Sequence, residues 1–373
     1  MRTQVADDEI TTPHGGQDWR SCSTFVEDFS VTTNGLGAPK IALREAAAAL
    51  TQIGHYPPAN FEPHLSDLAD FLWGKASVEH RDCLQLGNGA SELIDLVIRA
   101  CAISNGAPGA WRPGPYAVQY EEYKRSAEAA GFSRSSAEDS DARLLCMVNP
   151  SNPTGDYLSV NKIMRYIEEN CTGGSTVIVD ESMQPWRSPN WREDSLVSQH
   201  RWLHAMSCER GVDVFVIHSW TKLWSCPGIR LGSVVTPTAA HMKRMMAKQV
   251  PWSVNIVALE FLSGAVRDHS FMQETWSVTP VWRASMVEMI KTNFPDWDCF
   301  GESFLSWVWI DTHDETVAAR SVDSAKRAGC PIRWGKPGYG MPTFLRFAVR
   351  HHTVFSSLMR ALMSEFSVKP ARL

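Results

Sequence analysis

Two short apolar runs separated by a helix-forming stretch restrict the fold of this chain more than any other feature. Leu144–Val148 and Thr176–Asp180 have the length and apolar character of buried strands, and the polar helical stretch Val160–Asn170 lies between them. Val212–His218 is a third run of this kind. Strands joined by a helical crossover usually lie parallel in one sheet. The sequence therefore predicts an α/β protein with a mostly parallel sheet.

A lysine follows the third apolar run in a polar turn. Lys222 lies in this turn with Ser219 and Thr221, and Arg230 comes eight residues later. A lysine at the end of a buried strand is costly unless its amine is used. The chemical use that fits is a Schiff base with a carbonyl cofactor, while the hydroxyls and the guanidinium would hold a phosphate. On composition alone, the alternative is an ordinary surface lysine.

Three motifs carry a resemblance to a known family. Residues 219–232 contain Ser-x-Thr-Lys followed by Pro-Gly-x-Arg-x-Gly, and this pattern resembles the cofactor-lysine motif of fold-type I pyridoxal-phosphate enzymes, the class I/II aminotransferase superfamily. Gly87–Glu92 and Asn149–Gly155 are similar to motifs of its histidinol-phosphate aminotransferase and threonine-phosphate decarboxylase branch. The resemblance extends over residues 28–366. It implies a three-layer α/β fold of aminotransferase type I, with a smaller second α/β domain.

The resemblance implies pyridoxal 5′-phosphate (PLP) as the cofactor and gives roles to the matching residues. Lys222 would hold PLP as a Schiff base, and Asn152 would donate to the ring oxygen. Asp180 would pair with the protonated ring nitrogen, which agrees with the need of a buried carboxylate for a partner. Tyr120 would stack on the ring, with Tyr116 as the alternative. The phosphate would be held by Gly89, Ala90, Ser91, Ser219, Thr221, Arg230 and, from the partner subunit, Tyr56.

Substrate roles follow from the same resemblance. Arg346 lies in the apolar run Phe344–Val349 and resembles the family's bidentate anchor for the substrate α-carboxylate. Arg333 falls where the phosphate-handling members hold a distal group, and an exposed edge-strand arginine is the alternative. Asn34 and Gly35 belong to a turn that would lie over the substrate pocket, and Gly35 stands where the branch often has proline.

One residue departs from the aminotransferase pattern. These enzymes usually have tyrosine three residues after the aspartate, and this chain reads Asp180-Glu-Ser-Met183. The decarboxylase side of the branch commonly has phenylalanine there. We expect a PLP-dependent aminotransferase that acts on an α-amino acid. The alternative is a PLP-dependent lyase on the same scaffold, which decarboxylates, eliminates or cyclises an amino acid or its phosphate ester.

Composition argues against several other classes of protein. The formal charge of −5 gives no basic surface for nucleic acid or a membrane. No apolar run approaches the ~20 residues of a transmembrane helix. The first twenty residues lack the apolar core of a signal peptide. Nine scattered cysteines show no metal-ligand spacing, so the sequence predicts reduced thiols in the cytoplasm and no metal site.

The sequence predicts four parts, and the resemblance implies a homodimer with shared active sites. Residues 1–27 would be a disordered lead-in, residues 28–54 a segment that joins the small domain, residues 55–268 the large PLP-binding domain, and residues 269–373 the small domain. The dimer is inferred from the implied role of Tyr56, which would reach the cofactor phosphate of the partner subunit. A transcription regulator on this fold would need a helix-turn-helix before the domain, and the lead-in is too short for one. We therefore expect an enzyme.

Overall fold

The computed structural model describes residues 15–75, 78–104, 108–136 and 142–367. The strands are β1 (Leu84–Asn88), β2 (Ala110–Pro113), β3 (Ser133–Arg134), β4 (Leu144–Val148), β5 (Thr176–Asp180), β6 (Asp213–Ser219), β7 (Leu231–Val235), β8 (Asp298–Phe300), β9 (Trp307–Asp311), β10 (Arg333–Trp334) and β11 (Phe344–Ala348). The helices are α1 (Lys40–Ala49), α2 (His64–Trp73), α3 (Ala90–Ser104), α4 (Glu122–Ala129), α5 (Val160–Asn170), α6 (His200–Arg210), α7 (Trp220–Leu223), α8 (Ala239–Met246), α9 (Ile256–Arg267), α10 (His269–Asn293), α11 (Glu315–Arg327), α12 (Lys336–Tyr339) and α13 (His352–Glu365).

The larger sheet has seven strands in the order β1-β7-β6-β5-β4-β2-β3. Strand β7 runs antiparallel to both of its neighbours, and the other pairs are parallel. Side chains of β5 alternate between two cores, because Val177 and Val179 pack in one apolar cluster and Ile178 packs in another. Helices cover both faces, and the predicted three-layer, mostly parallel fold is confirmed.

The topology brings several polar turns to one edge of this sheet. Strands β1, β4, β5 and β6 all end there, because they run in the same direction. Strand β7 begins there, since Gly232 pairs with Ser219 at the end of β6 and Leu231 pairs with Asn88 at the end of β1. The crevice outside the carboxyl ends of parallel strands is the usual ligand site of such sheets. The motifs found in the sequence lie along this edge.

A second, antiparallel sheet forms the core of the smaller domain. Its strand order is β10-β11-β9-β8. Helices α10, α11 and α13 supply Met286, Ala318 and Phe355 to an apolar cluster that covers one face of this sheet. Arg333 on β10 pairs directly with Arg346 on β11. Cross-strand partners point to the same face of a sheet. The two arginines predicted to bind substrate are therefore neighbours.

The N-terminal segment lies against the smaller domain. Val26 N donates to the carbonyl of Gly329 at 2.8 Å, and Ala348 N donates to the carbonyl of Phe29 at 2.8 Å. Asp18–Ser21 form a 3-10 turn. The prediction of a disordered lead-in over residues 1–27 is therefore wrong for its last part, and residues 1–14 lie outside the described residues. The sequence could not show this order, because the hydrogen-bonding partners lie more than 300 residues further along the chain.

Arg350 connects this segment to the end of β11. The buried guanidinium donates from Nε to Glu27 Oε1 at 3.0 Å, from Nη2 to the carbonyl of Asp28 at 2.8 Å and from Nη1 to the carbonyl of Thr33 at 2.9 Å. Charge-assisted bonds of this kind are stronger than neutral ones. Arg350 therefore fixes the strip of backbone that forms one wall of the substrate pocket described below.

Arg350→Ala is expected to lower the free energy of unfolding by roughly 2–4 kcal/mol, because each buried carbonyl left without a donor costs about 1–3 kcal/mol. Arg320→Ala is the matched control: it removes the half-exposed Arg320–Glu365 pair (2.9 Å) and should cost about 0–1 kcal/mol. Urea denaturation followed by circular dichroism measures both changes. Equal losses in the two variants would contradict the role of Arg350.

Candidate active site

Two neighbouring cavities lie at the carboxyl edge of the large sheet. The smaller one, of about 70 Å³, is lined by Ala90, Ser91, Tyr120, Val148, Asn152, Asp180, Ser182, Met183, Ser219, Lys222 and Arg230. A neighbouring cavity of about 680 Å³ shares Tyr120, Asn152, Lys222 and Arg230 with it, and extends to Arg333 and Arg346. Most residues that the sequence analysis assigned to one site therefore lie together. Tyr56 lies elsewhere: it is 78% exposed and stacks on Trp252 at a ring distance of 4.4 Å.

The start of α3 and the lysine turn form a cradle for an anion. Gly89 has φ +76°, and a Cβ there would come within 2.2 Å of Arg230 Nη2. Only glycine lets the guanidinium approach this turn so closely. The hydroxyls of Ser219 and Thr221 lie 2.8 Å apart beside it. The backbone N–H groups and positive dipole end of a helix favour a phosphate at this place.

Lys222 presents a perturbed amine to the smaller cavity. Its Nζ donates to Thr221 Oγ1 at 3.1 Å. Burial lowers the pKa of this amine to about 8, and the nearby charge of Arg230 adds to the effect while the carboxylate of Asp180 opposes it. A lysine with a lowered pKa carries a larger neutral fraction and is a better nucleophile. The surface-lysine alternative is therefore wrong for Lys222.

Asp180 is a buried carboxylate with a hydrogen-bond donor on each oxygen. Ser182 N donates to Oδ1 at 2.8 Å, and the hydroxyl of Tyr123 donates to Oδ2 at 2.9 Å. Burial raises the pKa of this carboxyl, whereas these donors and the charge of Lys222 act in the opposite direction. Tyr123 was not among the predicted site residues, because no pattern in the sequence links it to Asp180, which lies 57 residues further along the chain.

Asn152 and Arg346 form one unit on the side of the cavity that faces the smaller domain. Arg346 donates from Nη1 to Asn152 Oδ1 at 2.6 Å and from Nη2 to the carbonyl of Ser30 at 2.8 Å. Its Nε is buried and has no hydrogen-bond partner among the residues that the structure describes. Because Asn152 Oδ1 accepts from Arg346, the amide nitrogen of Asn152 remains available as a donor. A buried donor without an acceptor, next to the Asn152 amide, suits an anionic ligand at this wall of the cavity.

Arg333 is buried, so the alternative of an exposed edge-strand arginine is wrong. It is 8% exposed, donates from Nη2 to the carbonyl of Pro337 at 2.8 Å, and lies over the ring of Tyr339 at 5.4 Å. Burial lowers the pKa of its guanidinium, and the charge of Arg346 contributes to this. Two neighbouring cations in a partly desolvated pocket favour an anionic ligand.

Asn34 and Gly35 lie in the wall of the larger cavity. The side chain of Asn34 is engaged within the protein, because Nδ2 donates to Thr275 at 2.8 Å and Oδ1 accepts from Leu36 N at 3.0 Å. Its backbone N–H donates to the carbonyl of Lys222 at 3.0 Å. A Cβ on Gly35 would come within 2.9 Å of the carbonyl of Val349. The structure therefore shows Asn34 shaping the pocket through its backbone and neighbours.

The structure distinguishes between Tyr120 and Tyr116, the two candidates for stacking on the cofactor ring. Tyr120 lines both cavities, and burial raises the pKa of its phenol to about 12, so the ring is neutral. Tyr116 lines neither of them. Met183 is 3% exposed and forms part of the wall of the smaller cavity. An apolar thioether therefore occupies the position where the family's phenol is expected.

Comparison with known proteins decides the family. The sequence profile described as aminotransferase class I and II matches residues 32–353. The chain belongs to this family. It is a PLP-dependent enzyme of the aminotransferase type, as the sequence motifs predicted.

Similar proteins include members of the histidinol-phosphate aminotransferase and threonine-phosphate decarboxylase branch, which the motifs indicated. Histidinol-phosphate aminotransferase 1 of Cupriavidus pinatubonensis is 25% identical over 339 residues, which cover 85% of this chain and 82% of that protein. Threonine-phosphate decarboxylase of Salmonella typhimurium is 29% identical over 269 residues, 67% of each chain. The solved structure of histidinol-phosphate aminotransferase from Sinorhizobium meliloti, in complex with pyridoxal-5′-phosphate, has a similar fold, with a TM-score of 0.78 at 14% identity and coverage of 98% and 99%.

The residues present fit PLP. The anion cradle at Gly89 and Arg230 suits its phosphate, the Asp180 carboxylate suits a protonated ring nitrogen, and Lys222 Nζ would hold the cofactor covalently. Among the described residues, no group of three or more histidine, cysteine or acidic side chains could hold a metal ion. In the same part of the chain, no helix has the length and apolar character needed to cross a membrane.

Lys222→Ala is expected to abolish covalent attachment of PLP and leave the fold intact, because the amine of Lys222 lies in the cavity that fits the cofactor. Borohydride reduction of the holoprotein, digestion and mass spectrometry should find the pyridoxyl group on the peptide containing Lys222 in the unmodified sequence. Lys248→Ala is the control and should keep the label, since Lys248 is exposed. A label on Lys248 or Lys40 would refute the assignment.

Proposed function

We propose that this enzyme transfers the amino group of an α-amino acid whose carboxylate is held by Arg346. The observation that carries the proposal is the 2.6 Å hydrogen bond between Arg346 Nη1 and Asn152 Oδ1, in the cavity that also contains Lys222. A buried guanidinium with an unpartnered Nε needs an acceptor, and a carboxylate is the acceptor that matches its planar geometry. This supports a substrate with a carboxylate close to the reacting carbon.

The chain's own residues supply binding and proton transfer. Bound PLP supplies a carbonyl that joins to amines and a ring that accepts electrons. Lys222 Nζ, with its pKa lowered to about 8, can take a proton from the substrate α-carbon and release it again near neutral pH. Thr221 Oγ1 orients that amine through their 3.1 Å hydrogen bond. Arg346 would hold the substrate while the proton moves.

We further propose that the substrate has a second acidic group, which binds at Arg333. Arg333 and Arg346 are cross-strand partners and both are buried, so an amino acid with two anionic ends would offset both charges. The names of the two relatives, which refer to histidinol phosphate and threonine phosphate, support a phosphate as this distal group. A side-chain carboxylate would also pair with the Arg333 guanidinium.

Met183 favours a second candidate, a PLP-dependent lyase. Without a phenol at this position, Asn152 remains as the neutral donor to the ring oxygen, and one hydrogen bond to a charged group is typically worth about 1.5–3 kcal/mol. The threonine-phosphate decarboxylase relative also supports this candidate. Against decarboxylation, a carboxylate paired with Arg346 would lose that pair on leaving as carbon dioxide. Transamination is therefore the function that the geometry supports best.

A single turnover without a 2-oxo acid is expected to convert one equivalent of the amino acid into its 2-oxo acid and leave the cofactor as pyridoxamine phosphate. The purified holoenzyme is mixed with a panel of amino acids and their phosphate esters, and both products are quantified by mass spectrometry. Lys222→Ala is the inactive control. Release of carbon dioxide, ammonia or water, with the cofactor returned to its starting form, would establish the lyase instead.

We propose a homodimer as the working form of the enzyme. Exposed apolar side chains occur on α1 and on the segments after α1 and α8, including Leu43, Leu50, Ile53 and Val250. The stacked pair of Tyr56 and Trp252 connects the last two segments. Exposed apolar patches of this kind indicate a protein contact. The role implied for Tyr56 by the family resemblance, at the phosphate of the partner's cofactor, supports a second copy of this chain as the occupant.

Ile53→Asp is expected to shift the protein from dimer to monomer and to weaken PLP binding, because it introduces a charge into the proposed interface. Val281→Asp is the matched control, since Val281 on α10 has a similar exposure of 65% against 67% for Ile53. Sedimentation velocity gives the oligomeric state, and titration of the apoprotein gives the PLP dissociation constant. A monomer with full activity in the unmodified sequence would rule out the dimer.

We propose a cytoplasmic location for the chain. The cysteines of the described residues form no disulfide, and burial raises the pKa of the Cys171 and Cys299 thiols to about 11. Reduced, unreactive thiols are typical of proteins in reducing compartments. Cell fractionation followed by immunodetection checks the location.

A further inference from the structure

The carboxylate of Asp180 is held by residues that the family assignment gives no role. Tyr123 has no exposed surface, and its hydroxyl donates to Asp180 Oδ2 at 2.9 Å. Ser182 N donates to Asp180 Oδ1 at 2.8 Å, and the hydroxyl of Ser182 acts in the same direction by lowering the pKa of the carboxyl. Neither Tyr123 nor Ser182 was among the residues that the sequence assigned to the site. Both of them act on the group that faces the cofactor ring.

These contacts fix the carboxylate from three elements of the fold. Tyr123 belongs to α4, Ser182 follows β5, and Ser219 ends β6. Ser219 N donates to Ser182 Oγ at 2.6 Å, which restrains the Ser182 side chain beside Asp180. Ser219 also belongs to the anion cradle through its contact with Thr221. The carboxylate and the cradle are therefore joined by one chain of hydrogen bonds.

We propose that Tyr123 and Ser182 are positioning residues that hold the Asp180 carboxylate in its anionic form for the ring nitrogen of PLP. A proton shared by a carboxylate and a pyridine nitrogen stays on the nitrogen only if the carboxylate remains an anion. Donors to a carboxylate stabilise its anion, and their removal favours transfer of the proton to oxygen. Tyr123 and Ser182 therefore act through Asp180 to keep the cofactor ring a strong electron acceptor.

The surroundings of Asp180 make these donors necessary. Burial disfavours a charged carboxylate, and the side chain of Asp180 is 7% exposed. Lys222 supplies the favourable charge nearby, whereas Glu181 is a second buried acidic group in the next position of the chain. Because the amine of Lys222 would also bind PLP covalently, its charge cannot stabilise the Asp180 carboxylate throughout the reaction. The hydroxyl donors remain in place throughout.

The test uses holoenzyme loaded with PLP that carries ¹⁵N in the ring, and measures the ¹⁵N NMR signal of that nitrogen. In the unmodified sequence we expect the chemical shift of a protonated pyridine. Tyr123→Phe and Ser182→Ala should each move the signal toward the unprotonated position. Loss of a hydrogen bond to a charged group should also lower kcat on the order of 10- to 100-fold, with little change in KM. Both substitutions remove only a hydroxyl, so the fold should persist.

Tyr157→Phe is the matched control. It removes another tyrosine–carboxylate hydrogen bond, from Tyr157 to Asp194 Oδ2 at 2.5 Å, at residues that line neither cavity. The control should leave both the NMR signal and the PLP dissociation constant unchanged. An unmoved signal in both Tyr123→Phe and Ser182→Ala, or an equal movement in Tyr157→Phe, would overturn the proposal.

This inference rests on the proposed role of Asp180, and one further variant distinguishes that role from the role of the Tyr123 and Ser182 hydroxyls. Asp180→Asn should move the signal fully to the unprotonated position. If Asp180→Asn moves it while Tyr123→Phe and Ser182→Ala do not, the supporting role of the hydroxyls is wrong and the role of Asp180 stands. If Asp180→Asn leaves the signal unmoved, the role of Asp180 is wrong as well.

Discussion

The accumulation of positive charge at the carboxyl edge of the large sheet is the constraint on which the rest of the site depends. Lys222, Arg230 and Arg346 all border one cavity, and each guanidinium lowers the pKa of the lysine. Like charges in a desolvated place repel each other strongly unless anions offset them. Asp180 is the carboxylate of the smaller cavity. A phosphate and a substrate carboxylate would supply the missing negative charge, so the protein is arranged to bind anions before any chemistry occurs.

This constraint accounts for the strained backbone of the turn that contains Arg230. Arg230 has φ +67°, a conformation that costs a residue with a side chain about 1–3 kcal/mol. The pairing of Ser219 with Gly232 ties both ends of the lysine turn to the sheet, and the guanidinium then rests over Gly89. The sheet thus keeps the positive charges of Lys222 and Arg230 close together despite their repulsion. The local loss of stability leaves a site that is preformed for PLP.

The sequence predicted the helices, strands and motif residues of this structure better than the contacts between distant residues. The helix Val160–Asn170 was predicted with the bounds that the structure has, because its polar and apolar pattern is local information. Most of the predicted cofactor residues of this chain also line one cavity, since short motifs carried their recognition. Tyr123, Ser182 and Arg350 were missed. Tyr123 lies 57 residues from Asp180 and Arg350 lies 323 residues from Glu27, and no periodicity in a sequence reports such contacts.

The way in which Arg350 holds the N-terminal segment has a consequence for how the enzyme matures. The ribosome makes the PLP-binding sheet first, whereas the pocket wall around Thr33 gains its anchor only after nearly the whole chain has been synthesised. Contacts between such distant residues form late, because closing a long loop is entropically costly. A nascent chain would thus complete its own part of the cofactor cradle before its substrate pocket. A newly made chain would therefore form its contacts to PLP before it forms the pocket that selects the substrate.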